Sequence, residues 1–179
     1  MTTDKFWELI EYSRSEFDSQ LLNGNQERQT TLLMEALILL PAREVEDYSR
    51  IFSEYRFLPY TYDHWMAALV LEGGVSDDAF DDFRAWMISM GKTPYHEMLD
   101  TVDNLADYAK APGVECIFFE DFLYIPSGAY QKITGNDLPY RKSIRPPKPA
   151  GKKRTIEDFQ VTFPKIWAKR CRISWPDSQ

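Results

Sequence analysis

Two glycines and a serine, set between two apolar runs, constrain this chain more than any other feature. Residues Trp65 to Gly91 read WMAALVLEGGVSDDAFDDFRAWMISMG. Gly73 and Gly74 close an apolar helical run, because glycine takes the left-handed conformation that ends a helix without a Cβ clash. Ser76 stands where an N-cap belongs, and Asp77 and Asp78 follow in the first turn, where carboxylates meet the positive end of the helix dipole. Phe80, Phe83, Met87 and Met90 then recur at three- and four-residue spacing. Ala79 and Trp86 widen that stripe, and Gly91 supplies the next stop. The pattern predicts a tight helical hairpin with an aromatic inner face and an acidic shoulder.

The same periodicity runs through the first half of the chain. Phe6, Trp7, Ile10 and Phe17 lie along one face of a first helix from Thr3 to Phe17. The segment LLNGN breaks it. Residues Gln26 to Leu40 form a second helix with Leu32, Leu33, Ala36, Leu37 and Leu40 inward, and Pro41 opens a third carrying Val45, Tyr48, Ile51, Phe52 and Tyr55. Thr61 or Tyr62 opens the next, with Trp65, Met66, Leu69 and Val70. Shorter helices follow at Pro94 to Leu99 and Val102 to Tyr108. Residues Val114 to Ile133 suit a strand by their β-branched and aromatic content and a helix by their length, and are read as helix. Gly135 to Gly151 is rich in Pro and Lys/Arg and predicts an extended crossing arm outside the core. Phe159, Phe163, Ile166 and Trp167 mark a last helix, Ile156 to Cys171, docked on the body. The expectation is an all-α single-domain bundle: an acidic body at 1–135, a basic arm at 136–155 and a packed terminal helix at 156–172.

At 179 residues with 44% hydrophobic and 15% aromatic side chains, the chain suits one well-filled core and not a disordered segment. No stretch approaches the roughly 20 apolar residues of a membrane span, and the N-terminus does not read as a leader, so a soluble cytoplasmic protein is expected. Cys116 and Cys171 are too few and too far apart for a metal knuckle or a disulfide framework, and both are expected reduced. The net charge of −7 conceals a polarity. Residues 1–140 hold ten Lys and Arg against 25 Asp and Glu, and residues 141–172 hold 11 against two. The basic segment can lie across its own acidic body, the simpler expectation, or bind nucleic acid or anionic lipid.

Four segments together carry a resemblance: the N-terminal FWELIE, the central tryptophan before GG, the run SDDAFDDFRAWMISMG, and FPKIWAK after the Pro/Gly arm. The chain resembles the bacterial domain of unknown function family numbered 4240 over nearly its whole length. The resemblance implies a bacterial cytoplasmic helical domain and lends no activity. Similar sequences joined to domains of the tryptophan-glycine-arginine type hint at regulation or nucleic-acid contexts.

Several residues could carry chemistry, each beside a plainer role. Asp77, Asp78, Asp81 and Asp82 contain the DDxxD spacing that holds magnesium and diphosphate in all-helical prenyl-diphosphate enzymes. Here the motif sits in a capped first turn with no second aspartate cluster, so a dipole-stabilised helix start is the reading, and neither metal nor cofactor is expected. Arg84 lies three residues after Asp81 and on the side of Asp77. Beside Trp65 and Trp86 it could floor an anion or peptide pocket; the plainer role is an ion pair tying the hairpin. His64, at a helix start, reads as a surface or rim residue, and neither it nor His96 forms a metal-ligand pair. Tyr140, Phe163, Trp167 and Trp175 could stack on bases, although the spacing of Phe163 and Trp167 suits core. No serine elbow, phosphate loop, dinucleotide fingerprint or zinc-binding helix is present. The expectation is a protein-binding or regulatory module with candidate residues Trp65, Asp77, Asp78, Arg84 and Trp86. The alternatives are an enzyme acting on an anionic or phosphorylated small molecule at the Trp65/Arg84 region, and a nucleic-acid binder using 141–172. Oligomeric state is left open.

Overall fold

The computed structural model describes residues 1–139 and 146–175. Its order is α1 (Thr3–Ser13), α2 (Asn25–Ile38), α3 (Ala42–Phe57), α4 (Tyr62–Glu72), α5 (Asp77–Ser89), α6 (Lys92–Asp100), a 3-10 turn (Val102–Asn104), α7 (Leu105–Ala109), α8 (Glu120–Thr134), α9 (Ile156–Thr162) and α10 (Pro164–Ala168). The described residues contain no strand. One parallel bridge links Thr61 to Ala150. The fold is an all-α bundle.

The helix ends follow local chemistry. Thr2, Thr61, Ser76 and Thr155 each cap a helix with a side-chain oxygen that accepts a first-turn N–H. Gly73 closes α4 at φ +79°, where a side chain would strain the backbone. A Cβ there would also collide with Ser174 Oγ, so Gly73 serves both the helix end and the close passage of the C-terminal segment.

The core assembles around α5, in which every residue from Phe83 to Met90 is buried. A helix enclosed on all sides belongs at the centre, and α3, α4, α6 and α8 pack around it. α8 also lies along α2, while α1 brings Phe6, Trp7 and Ile10 against the aromatic rings of α3 and α6. Of the residues expected inward between Gln26 and Leu40, Leu33 and Leu37 are buried, whereas Leu32, Ala36 and Leu40 are half-buried.

Three predicted elements are corrected. The first helix stops at Ser13 and not at Phe17: the chain turns through Arg14, and Asn25 holds the returning loop by accepting from Asp18 N at 3.0 Å and donating to Asp18 O at 2.8 Å. The segment Val114–Ile133 is helical only from Glu120. Its first residues cannot wind, because Gln26 Nε2 takes the carbonyls of Cys116 and Phe118, and Phe119 N donates to Asp82 O. The terminal helix is two short ones. Phe163 precedes Pro164, whose ring disfavours helical backbone in the residue before it, and Phe163 sits at φ −127°, ψ 66°.

Candidate functional site

Two places bring charge and aromatic surface together: the base of the α4–α5 hairpin around Arg84, and the face of α4 and α7 that receives the C-terminal segment. At the first, the Arg84 side chain has no exposed surface. Its Nε donates to Phe80 O at 3.1 Å, its Nη1 to Arg56 O at 3.0 Å, and it pairs with Asp81 one turn back. The rings of Phe80, Tyr60 and Phe57 face its guanidinium at 4.8, 4.9 and 5.7 Å. Burying a guanidinium costs several kcal/mol unless carbonyls, a carboxylate and ring faces replace its water, and all three are present. The cluster binds the end of α3 to the start of α5.

Trp65 reaches this cluster through Phe80, its ring 4.5 Å away. Trp86 does not. It stacks on Phe83 at 5.8 Å and lines a different crevice, next to α1 and α2. Asp77 and Asp78 are exposed in the first turn of α5, where Ser76 caps Ala79 N. Of the five candidate residues, the fold therefore joins Trp65 to Arg84 and separates Asp77, Asp78 and Trp86 from them. Among the described residues no three His, Cys, Asp or Glu side chains are grouped to hold a metal ion.

His64 is a correction: it is buried, 2% exposed, under the end of α6. Its Nε2 lies 3.2 Å from Met98 O, which can only accept, so Nε2 carries the proton. Nδ1 then accepts from the Thr61 hydroxyl at 2.8 Å, while Thr61 Oγ1 accepts from His64 N. Burial holds the imidazole down at about 4, against a raising contribution from Met98 O. The neutral ring thus belongs to the N-terminal cap of α4. No sequence signal marked it, because Met98 lies 34 residues away.

On the second face, α9 and α10 bury Phe159, Phe163 and Ile166, and α10 packs on α4, α7 and the 3-10 turn. Charge pairs ring this apolar patch. Arg154 grips Asp63 through two hydrogen bonds of 2.7 and 3.1 Å, and Lys165 Nζ meets Asp107 at 2.6 Å. Asp103 accepts from the backbone N–H of Lys165 and Ile166, so a carboxylate covers the start of α10. Cys171 N then donates to Val70 O at 2.9 Å, and Trp175 Nε1 to Leu69 O at 3.4 Å. Further back, Ala150 N donates to Tyr60 O and Ala150 O accepts from Tyr62 N, which ties the arm to the loop before α4. Tyr140 and the basic residues Arg141, Lys142 and Arg145 lie outside the described residues.

Both cysteines are free and half-buried. Burial pushes the Cys116 thiol up, whereas backbone N–H groups of Ser174 and Ile173 pull the Cys171 thiol down. No helix of the described residues is long and apolar enough to cross a membrane.

Residues 1–132 match the family model described as Protein of unknown function (DUF4240). The chain belongs to that family. No curated protein and no solved structure gives a significant match. The DUF4240 match covers α1 to α7 and most of α8, and ends before the arm and the segment lodged on α4 and α7.

Proposed function

We propose that this DUF4240 protein is a protein-binding module of the bacterial cytoplasm, and that its binding surface is the face of α4, α7 and the 3-10 turn. One observation carries the reading: a segment beyond the family-matched region already occupies that face as a ligand would. The contact has an apolar centre of Phe159, Phe163 and Ile166 and a rim of charge pairs, the anatomy of a protein interface. α9 has seven residues and α10 five, too few to be stable alone in water, so this segment takes its helical form by docking. A partner of the same chemistry, amphipathic and basic, would compete with the segment for the same carboxylates.

The experiment uses a fluorescent peptide of residues 152–175 and the full chain. Ile166→Asp places a carboxylate against the apolar centre and loosens the resident segment. The expected result is saturable peptide binding to folded Ile166→Asp protein, weaker binding to wild type, and none by a peptide that itself carries Ile166→Asp. If the folded variant leaves the wild-type peptide unbound, this face is structural and the reading is wrong.

A further inference from the structure

The C-terminal segment opens its two helices in different ways, and only one of them depends on the body. At the start of α9 the Thr155 hydroxyl accepts from Asp158 N at 3.2 Å, so this helix caps itself. At the start of α10 the cap position belongs to Phe163, whose side chain has no acceptor to offer. Its ring is 8% exposed, 4.7 Å from the Phe159 ring and 5.4 Å from the Arg154 guanidinium. The apolar centre of the contact thus takes a ring at the position where a helix usually carries Ser, Thr or Asp.

The backbone N–H groups of this turn can be followed one by one. Pro164 has none, and Trp167 N donates to Phe163 O at 3.1 Å. Two remain, on Lys165 and Ile166. In an unbroken helix they would donate four residues back, to Val161 and Thr162, and the proline ends that ladder. Asp103, on the 3-10 turn, takes both: Oδ2 accepts from Lys165 N at 3.2 Å and Oδ1 from Ile166 N at 3.0 Å. Ile166 has no exposed surface, so little water can reach its N–H in place of the carboxylate.

Resting on the reading of this face as a protein-binding surface, we infer that Asp103 is its specificity-determining residue. The partner it selects enters as a proline-opened helix, with the order apolar residue, Pro, any residue, apolar residue seen in Phe163-Pro164-Lys165-Ile166. Such a segment presents two free N–H groups side by side, and a carboxylate has one oxygen for each. A segment that winds through without proline satisfies those groups internally. One that brings its own Ser or Asp cap satisfies at least one of them and loses the buried ring. Either would cover Asp103 without replacing the water it loses, which counts against the wrong partner. The Lys165–Asp107 pair adds little to this choice, because both side chains are half exposed and a lysine on any partner could make it.

The test compares three peptides on one receptor, the folded full chain carrying Ile166→Asp. The fluorescent 152–175 peptide is set beside a Pro164→Ala version and a version with an ester in place of the Lys165–Ile166 amide, which removes the Ile166 N–H and keeps every side chain. The resident segment competes equally with all three, so the ratio of two affinities on one receptor does not depend on it. The unaltered peptide should bind at least about tenfold tighter than either version, roughly one charge-assisted hydrogen bond. Asp103→Ala in the receptor should bring the ester ratio near one and shrink the Pro164→Ala ratio, because the N–H and the carboxylate act as a pair. Asp107→Asn should weaken all three peptides alike. If the Asp103→Ala receptor does not fold, Asp103→Asn, which keeps the shape and loses the charge, should reduce both ratios several-fold. Failure of the unaltered peptide to bind the folded Ile166→Asp chain would overturn the protein-binding reading and this inference with it. Binding whose ratios are unchanged in a folded Asp103 variant, or shrink as much with Asp107→Asn, would overturn this inference alone.

Discussion

Arg84 and Arg154 both pair with a carboxylate of the acidic body, and their surroundings make them opposite kinds of contact. Arg84 is enclosed, its water replaced by two backbone carbonyls, Asp81 and three rings. Arg154 keeps 26% of its side-chain surface in solvent and Asp63 keeps 25%, although two paired hydrogen bonds join them. Good geometry does not make a pair strong where water competes for both partners. The Arg84 cluster is part of the core of the family-matched body; the Arg154 pair helps select where the C-terminal segment lands.

The sharpest way to break this contrast is Arg84→Met, which keeps the volume and strands Asp81 and the carbonyls of Phe80 and Arg56. Removing one partner of a buried pair costs about 3–5 kcal/mol, and the loss should appear as a lower urea midpoint for the whole molecule in one cooperative transition. A loss under about 1 kcal/mol would place Arg84 in the same class as Arg154.

His64 comes next, since it shares the first turn of α4 with Asp63 yet faces the core. Its folded-state pKa of about 4 lies below the ordinary 6.5, so the unfolded chain binds the extra proton first as pH falls. Its contribution is complete above about pH 6.5, is lost between pH 6.5 and 4, and amounts to about 3 kcal/mol. Chemical denaturation at pH 7, 5.5 and 4 should show this slope, and His64→Gln should flatten it.

Ile166→Ala should cost about 2 kcal/mol, and the cost should fall locally. Hydrogen exchange at Cys171 N–H, whose partner Val70 O lies on α4, should speed up while amides in α5 stay protected. Uniform loss of protection would merge the segment with the core. The smallest effect is expected of Arg154→Met, under about 1 kcal/mol and further reduced by salt. Thermal melts at low and high ionic strength measure it.

These two regions also mark how far local sequence reaches. Ser76, Gly73 and the spacing from Phe80 to Met90 defined the α4–α5 hairpin because caps and stripes are decided within a turn or two. The Arg84–Asp81 pair was legible for the same reason. Its enclosure was not, since Phe57 and Tyr60 come from the end of α3 and the loop after it. In the tail, Phe159, Phe163, Ile166 and Trp167 kept a helical spacing across the break at Pro164, so periodicity masked a signal that the proline itself carried. Loop 114–119 had no comparable marker, because its carbonyls are taken by Gln26, about 90 residues earlier. Arg14 and His64 drew no functional reading for that same reason: their decisive partners, Ser89 and Met98, are remote in sequence.

By itself, then, the amino-acid sequence determined the all-α class, most helix starts and stops, the acidic-to-basic polarity and the family. Those properties depend on nearest neighbours, on glycine conformation and on counted charge. Only the tertiary structure decided that Arg84 is sealed away, that Trp86 lines a crevice apart from Trp65, and that the segment from Ala150 to Trp175 packs on α4, α7 and the loop before α4. Burial and long-range hydrogen-bond partners belong to the space between elements, and a residue acquires them from whatever distant part of the chain packs against it.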